Sequence, residues 1–155
     1  MIKLEKILWP TDFSDNSNTA NMYATSLARQ FSSELHMVHV IVDPAYALSP
    51  VGVGYIPETY QEEMQERSDA ELATLVSAPT CEGLDVSYKT LAGNAADSIV
   101  EYAEDNQIGM IVMGTHGYTG LSRLVLGSVA ERVVRSAHCP VLTVHSDDRQ
   151  FIEED

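Results

Sequence analysis

An α/β domain, folded as an open sheet with helices on both faces, is what this sequence predicts, and three observations predict it. Short apolar runs alternate with longer stretches of helical period. Turn-forming residues separate them, and the final apolar run falls close to the end of the chain. Right-handed crossovers between successive strands then close the chain into a doubly wound, mainly parallel sheet. A chain of 155 residues matches one compact domain with a core of its own.

The first run, Ile7 to Pro10, reads as a buried strand stopped by proline. From Ser17 onward Ala20, Tyr23, Ala24, Leu27, Ala28 and Phe31 recur at three and four residues, the spacing of one helical face. Leu35 to Val42, rich in β-branched residues and closed by Asp43-Pro44, is the second strand. Pro44 to Pro57 holds three prolines and two glycines, so an irregular loop is expected there, a lid, a subunit contact or packing on its own helix. The next helix turns Tyr60, Met64, Leu72, Leu75 and Val76 inward, with Glu58, Glu62, Glu63 and Glu66 on its wet side, and Pro79 to Gly83 closes it. Val86 to Leu91 is the third strand, and Ala95 to Asn106 a helix with Ile99, Val100 and Ala103 inward. Met110 to Met113 is the fourth strand, Ser128 to Ser136 the last helix and Val141 to Val144 the fifth strand. The domain is expected to span residues 1–145, followed by an acidic tail over 146–155.

Composition excludes several classes of function. Hydrophobic residues make up 45% and charged residues 21%, an ordinary globular balance. No segment approaches the roughly 18 unbroken apolar residues of a membrane span. The apolar run in MIKLEKILWPTDF is too short for a secretory signal, so a cytoplasmic protein is expected. Cys81 and Cys139 stand far apart in no metal-like spacing and read as free thiols. With 23 acids against 9 bases the formal charge is −14, which disfavours duplex nucleic acid and anionic membranes as partners.

In open α/β sheets the chemistry sits just beyond the carboxyl ends of the strands. After the fourth strand comes GTHGYTGLSRLVLGSVAERV, in which Gly114 ends the strand, Gly117 follows, and Gly127-Ser128 opens the last helix. A helix start offers unpaired N–H groups and a positive dipole end, suited to phosphate, and Ser128 can cap that helix or donate to a phosphate oxygen. From Gly114 to Ala130 there is no acid, while His116 and Arg123 are present. The same glycines also serve as ordinary turn and cap residues. No lysine follows Gly127, and the first glycines stand three apart, so neither a Walker loop nor the Rossmann glycine fingerprint is present. After the first strand, Asp12 can accept from a ribose, or Asp12 or Ser14 can cap the first helix. At the end of the second strand, main-chain groups of His39-Val40-Ile41 can pair with a base edge. The five histidines form no metal-ligand spacing and read as structural.

On these residues the chain resembles the universal stress protein family, from KILWPTDFS through LHMVHVIVD and MIVMGTHG to LGSVAERVVRSAHCPVLTV. The most specific likeness is to the pattern of its ATP-binding branch: glycine, two residues, glycine, nine residues, glycine, then serine or threonine, met by Gly114, Gly117, Gly127 and Ser128. The resemblance implies a Rossmann-like sheet of order 3-2-1-4-5 and a homodimer paired through the last strand. It also implies ATP as ligand, with Mg2+ or Mn2+ held by the phosphates. Asp12 would meet the ribose, Val40 the adenine, and Gly114, Gly117, Gly127, Ser128 and Val129 the phosphates; Pro10, Thr11 and Met113 would line the cleft. Arg123 sits where a basic residue can face the polyphosphate or stay in solvent. Three functions follow: a nucleotide-dependent regulatory protein with slow or no hydrolysis, an ATPase or nucleotidyl-transferring enzyme assisted by Asp12 or His116, and a structural dimer without nucleotide.

Overall fold

The computed structural model describes residues 2–42, 58–115 and 126–145. Five strands, β1 (Lys6–Pro10), β2 (Glu34–Val42), β3 (Val86–Gly93), β4 (Met110–Gly114) and β5 (Val141–Val144), form one sheet of order β3-β2-β1-β4-β5. Every pairing is parallel, with Ile7 beside Leu35 and Met110, and Met113 beside Thr143. Among the described residues four helices connect them, α1 (Asp15–Phe31), α2 (Glu58–Val76), α3 (Ala95–Asp105) and α4 (Ser128–Ser136), with a 3-10 turn at Pro79–Cys81. The expected loop over 44–57 and the acidic tail over 146–155 lie outside the described residues.

Strand side chains alternate between two cores, one on each face. Ile7, Trp9, Leu35, Met37 and Val112 pack with Ala20, Ala24 and Ala28 of α1 and Leu72 of α2. Leu8, Val38, Val40, Ile111 and Met113 pack with Ile99 and Ala103 of α3 and with Ala130 and Val133 of α4. Small residues on the buried face of α1 let it lie close to the sheet, and Trp9, with no exposed surface, fills the space beside it.

Local chemistry sets the element ends. Ser14 caps α1 by accepting from the Ser17 amide at 3.3 Å, and the helix stops where Ser32 turns to φ 54°. The helix therefore starts two residues before Ser17, where the periodic stretch was expected to begin. Gly93 leaves β3 at φ 135°, a conformation other residues avoid, and delivers the chain to Asn94, whose side chain caps α3 through the Asp97 amide.

Two residues assigned inward by periodicity stand in solvent. Phe31 is 44% exposed because it is the last residue of α1, where the chain is already turning into β2 and little sheet remains beneath it. Tyr60 is 46% exposed because it lies in the first turn of α2, whose buried contacts begin farther along, at Ser68 and Leu72. Both cysteines are free, and burial pushes both thiols above their ordinary range, which makes them poor nucleophiles at neutral pH.

A polar cluster closes the rim at the amino ends of the strands. Glu34 accepts from the Ser87 hydroxyl at 2.7 Å and lies 3.9 Å from the Lys6 ammonium. The buried His36 ring places Nε2 3.1 Å from Glu34, too poorly aligned for a good hydrogen bond, and Nδ1 2.9 Å from the Tyr102 hydroxyl. The Ser87 hydrogen bond, and after it the neighbouring His36 ring and Lys6 ammonium, hold the Glu34 carboxyl below its usual range despite partial burial. A carboxylate whose folded pKa is depressed contributes stability above its unfolded pKa of about 4.3 and loses it as pH falls through the lower folded value. Glu34→Gln is therefore expected to flatten the acid limb of stability, read as urea midpoints between about pH 6 and pH 3; an unchanged slope would remove Glu34 from that limb.

Candidate functional site

At the opposite rim the carboxyl ends of β1, β2 and β4 enclose a cleft of about 360 Å³, within the range of small-molecule sites. Its position follows from the strand order: β1 leads to α1 on one face and β4 to α4 on the other, so the two departing chains leave a crevice between them.

The β1 side is a braced turn. The Thr11 amide donates to the Val38 carbonyl at 2.8 Å, adding a rung beyond β1. The Thr11 hydroxyl oxygen accepts from the Phe13 amide at 3.0 Å and from the Ser17 hydroxyl at 2.9 Å. Asp12 Oδ1 accepts from the amide and the hydroxyl of Ser14 at 3.1 and 2.5 Å, so Asp12 supports the residue that caps α1. Phe13 has φ 63°, and its ring stacks on that of His39 with centroids 4.4 Å apart. His39 Nδ1 lies 2.8 Å from the Thr11 carbonyl oxygen.

The floor is apolar, formed by Val40 of β2 and Met113 of β4, with Ala95 and Ile99 of α3 beside them. The far wall is the start of α4. Gly127 is its N-cap, at φ −60° and ψ 150°, and has no side chain with which to cap it. Its amide donates to the Thr115 carbonyl at 2.7 Å, and the Thr115 amide to Val144 at 3.0 Å, tying the helix start to β4 and β5. The first bond of the helix runs from the Glu131 amide to the Gly127 carbonyl at 2.8 Å, so the earlier amides of the first turn face the cleft end without partners in the helix ladder. Ser128 is the first helical residue and not the cap, and it lines the cleft wall. The acidic residue of that turn, Glu131, pairs with Arg135 at 2.9 Å. A polar mouth with an acid at one end, an apolar floor and a helix start at the other suits a ligand with a polar sugar-like part, a flat apolar part and an anionic tail.

Nine of the eleven residues singled out from the sequence line this one cleft: Pro10, Thr11 and Asp12 on the first side, Val40, Met113 and Gly114 below, and Gly127, Ser128 and Val129 at the helix. Gly117 and Arg123, like His116, lie outside the described residues. Sequence reasoning gave His39 only a main-chain part in the site and did not assign its side chain, nor Thr115, Ala95 or Ile99, though Thr115 directly follows a strand end and was open to the same argument. Among the described residues no group of three or more His, Cys, Asp or Glu is placed to hold a metal, and no helix is long and apolar enough to cross a membrane.

Comparison with known proteins agrees with this architecture. A model of the Universal stress protein family matches residues 3–145. Universal stress protein MJ0531 of Methanocaldococcus jannaschii is 38% identical over 147 residues, 94% of this chain and 85% of that protein. The solved structure of MJ0577, from the same organism, is similar at a TM-score of 0.80 and 26% identity, over 96% of this chain and 99% of the other. A universal stress protein in complex with cAMP shares the fold at a TM-score of 0.61 and 23% identity, over 94% of this chain and all (100%) of the other.

Proposed function

The chain belongs to the universal stress protein family, and from that premise we propose that it binds ATP in the cleft and acts in the cytoplasm as a nucleotide-dependent regulator in stress response, with slow or no hydrolysis. The observation that carries the reading is the start of α4: a helix N-terminus without a side-chain cap, set at one end of an apolar cleft whose other end holds a carboxylate. In this reading Asp12 meets the ribose and the main chain of Val40 the adenine, with Pro10, Thr11 and Met113 around them. Gly114, Gly117, Gly127, Ser128 and Val129 hold the phosphates, and Arg123 faces the polyphosphate. A neighbour of the same fold is described with an adenine nucleotide, cAMP, which supports this use of the fold.

The donor set fits the group. Main-chain amides and a hydroxyl suit phosphate oxygens, and a Mg2+ or Mn2+ ion would be carried by the phosphates, where it would neutralise their charge. We further propose a homodimer through β5, an edge strand whose Leu142 is exposed. ATP occupancy would then alter the contacts of that dimer or of a partner protein.

Calorimetry with Mg-ATP tests the reading. One nucleotide per chain is expected to bind saturably, with turnover close to background over hours. Absence of binding at millimolar Mg-ATP would reject it, and fast turnover would replace the regulator by an enzyme.

A further inference from the structure

We infer that His39 is a positioning residue for Asp12 and thereby sets how strongly the cleft selects for a ribose bearing its hydroxyls; the inference rests on the nucleotide reading above. Asp12 is flanked by Thr11 and Phe13, and one imidazole engages both neighbours. His39 Nδ1 stands 2.8 Å from the Thr11 carbonyl oxygen, and the His39 ring stacks on Phe13 at 4.4 Å with the planes 29° apart. A carbonyl oxygen only accepts, so Nδ1 carries the proton and donates, and in the neutral ring Nε2 is left as the acceptor.

The anchor is rigid because His39 belongs to β2, which is bonded to β1 on one side and to β3 on the other, where His39 pairs with Thr90. What it anchors is a turn whose side-chain bonds run mainly within itself. Phe13 sits at φ 63°, in a region that residues with side chains avoid, and the ring stack is a contact that opposes its relaxation. The remaining supports lie within the turn and at its ends: the Phe13 amide donates to the Thr11 hydroxyl, and Asp12 Oδ1 accepts from the amide and the hydroxyl of Ser14. The Thr11 amide is tied to Val38, and Ser14 is tied to α1 through the Ser17 amide. The Val38 rung aside, those bonds join the turn to itself and to α1, and the imidazole is the β2 side chain that ties its flanking residues Thr11 and Phe13 to the sheet. With the imidazole in place both flanking peptides are held, and the carboxylate keeps one position relative to Val40 on the floor.

The prediction is a change in selectivity rather than in overall affinity alone. The probes are Mg-ATP and Mg-2′,3′-dideoxy-ATP, which lacks both sugar hydroxyls, titrated by calorimetry into the full chain. Wild type is expected to prefer ATP by about tenfold or more, the worth of a hydrogen bond to a charged group. His39→Leu is expected to narrow that ratio to within about twofold. His39→Asn sets an amide nitrogen at the branch position of Nδ1 and is expected to recover most of the preference, whereas His39→Phe keeps a ring for the stack but no donor and should behave like the leucine variant. Should His39→Leu fail to fold, the asparagine and phenylalanine variants carry the comparison between them.

A His39→Leu protein that binds both nucleotides more weakly with the wild-type ratio would show a merely structural histidine and overturn the inference. Full preference in His39→Phe would overturn it as well. A wild type that binds both probes equally well would remove the ribose contact itself, and with it this role. A wild type that binds neither would instead strike the nucleotide reading.

Discussion

A Gly127→Val protein is expected to fold and to bind Mg-ATP about 100-fold more weakly than wild type. The reason lies in what Gly127 does not need. Its φ of −60° and ψ of 150° are open to every L-residue, so the glycine is not there to permit a turn. Its amide bond to Thr115 survives any substitution except proline. What a valine adds is a branched side chain on the cleft wall, next to the first amides of α4, where the anionic tail of the ligand is proposed to lie. Valine is also no better a cap than glycine, so about 1 kcal/mol of stability at most should be lost. Calorimetry and a melting curve on the same sample separate the two effects. Wild-type affinity in this variant would move the phosphate end of the ligand away from α4, while an unfolded variant would mean that the glycine is needed by the fold.

Trp9→Ala is expected to cost about 3–5 kcal/mol, a large share of the roughly 5–15 kcal/mol that holds a domain together. Trp9 has no exposed surface and lies in the core between β1 and α1. Its indole N–H donates to the Ser17 carbonyl at 3.1 Å, a bond that ties the central strand to the first turn of α1. Alanine leaves a void too well walled to collapse fully and an acceptor without its donor. Since Trp9 is the only tryptophan, the loss is best read as a urea midpoint by circular dichroism. A shift below about 1 kcal/mol would contradict the packing of β1 against α1. Because Pro10 and Thr11 follow directly, weaker ATP binding by the folded fraction is part of the same expectation.

The elements were legible because each carries its own periodicity. β-branched runs such as Leu35 to Val42 and the alanine stripe of α1 announce their period over many residues. The strand order could not be read that way. Parallel crossovers of similar length permit several orders, and only the likeness to a known family selected β3-β2-β1-β4-β5. Periodicity also missed where helices outrun the sheet, which is why Phe31 and Tyr60 are exposed. In the site, residues directly after strand ends were legible, since the topology sends them to the crevice whatever the details. Ala95 and Ile99 were not, because their place depends on how α3 lies across the sheet. The His39 ring, as distinct from its main chain, was hidden for another reason: a histidine inside an apolar strand looks the same whether its ring is packed or working, and its partners Thr11 and Phe13 are far away along the chain. The question left open at Asp12 and Ser14 resolved into a division of labour, in which Ser14 caps α1 and Asp12 holds Ser14 while lining the cleft.

The Glu34 cluster and the cleft sit at opposite ends of the same strands. From Glu34 to Val40 along β2 is about 20 Å at the usual ~3.3 Å per residue, more than twice the ~8 Å over which charges speak to one another in physiological salt. The acid response expected of Glu34 and the proposed choice of ligand are thus written on separate margins of one scaffold. Descendants of this chain can retune either property, to suit a harsher habitat or a different metabolite, without renegotiating the other.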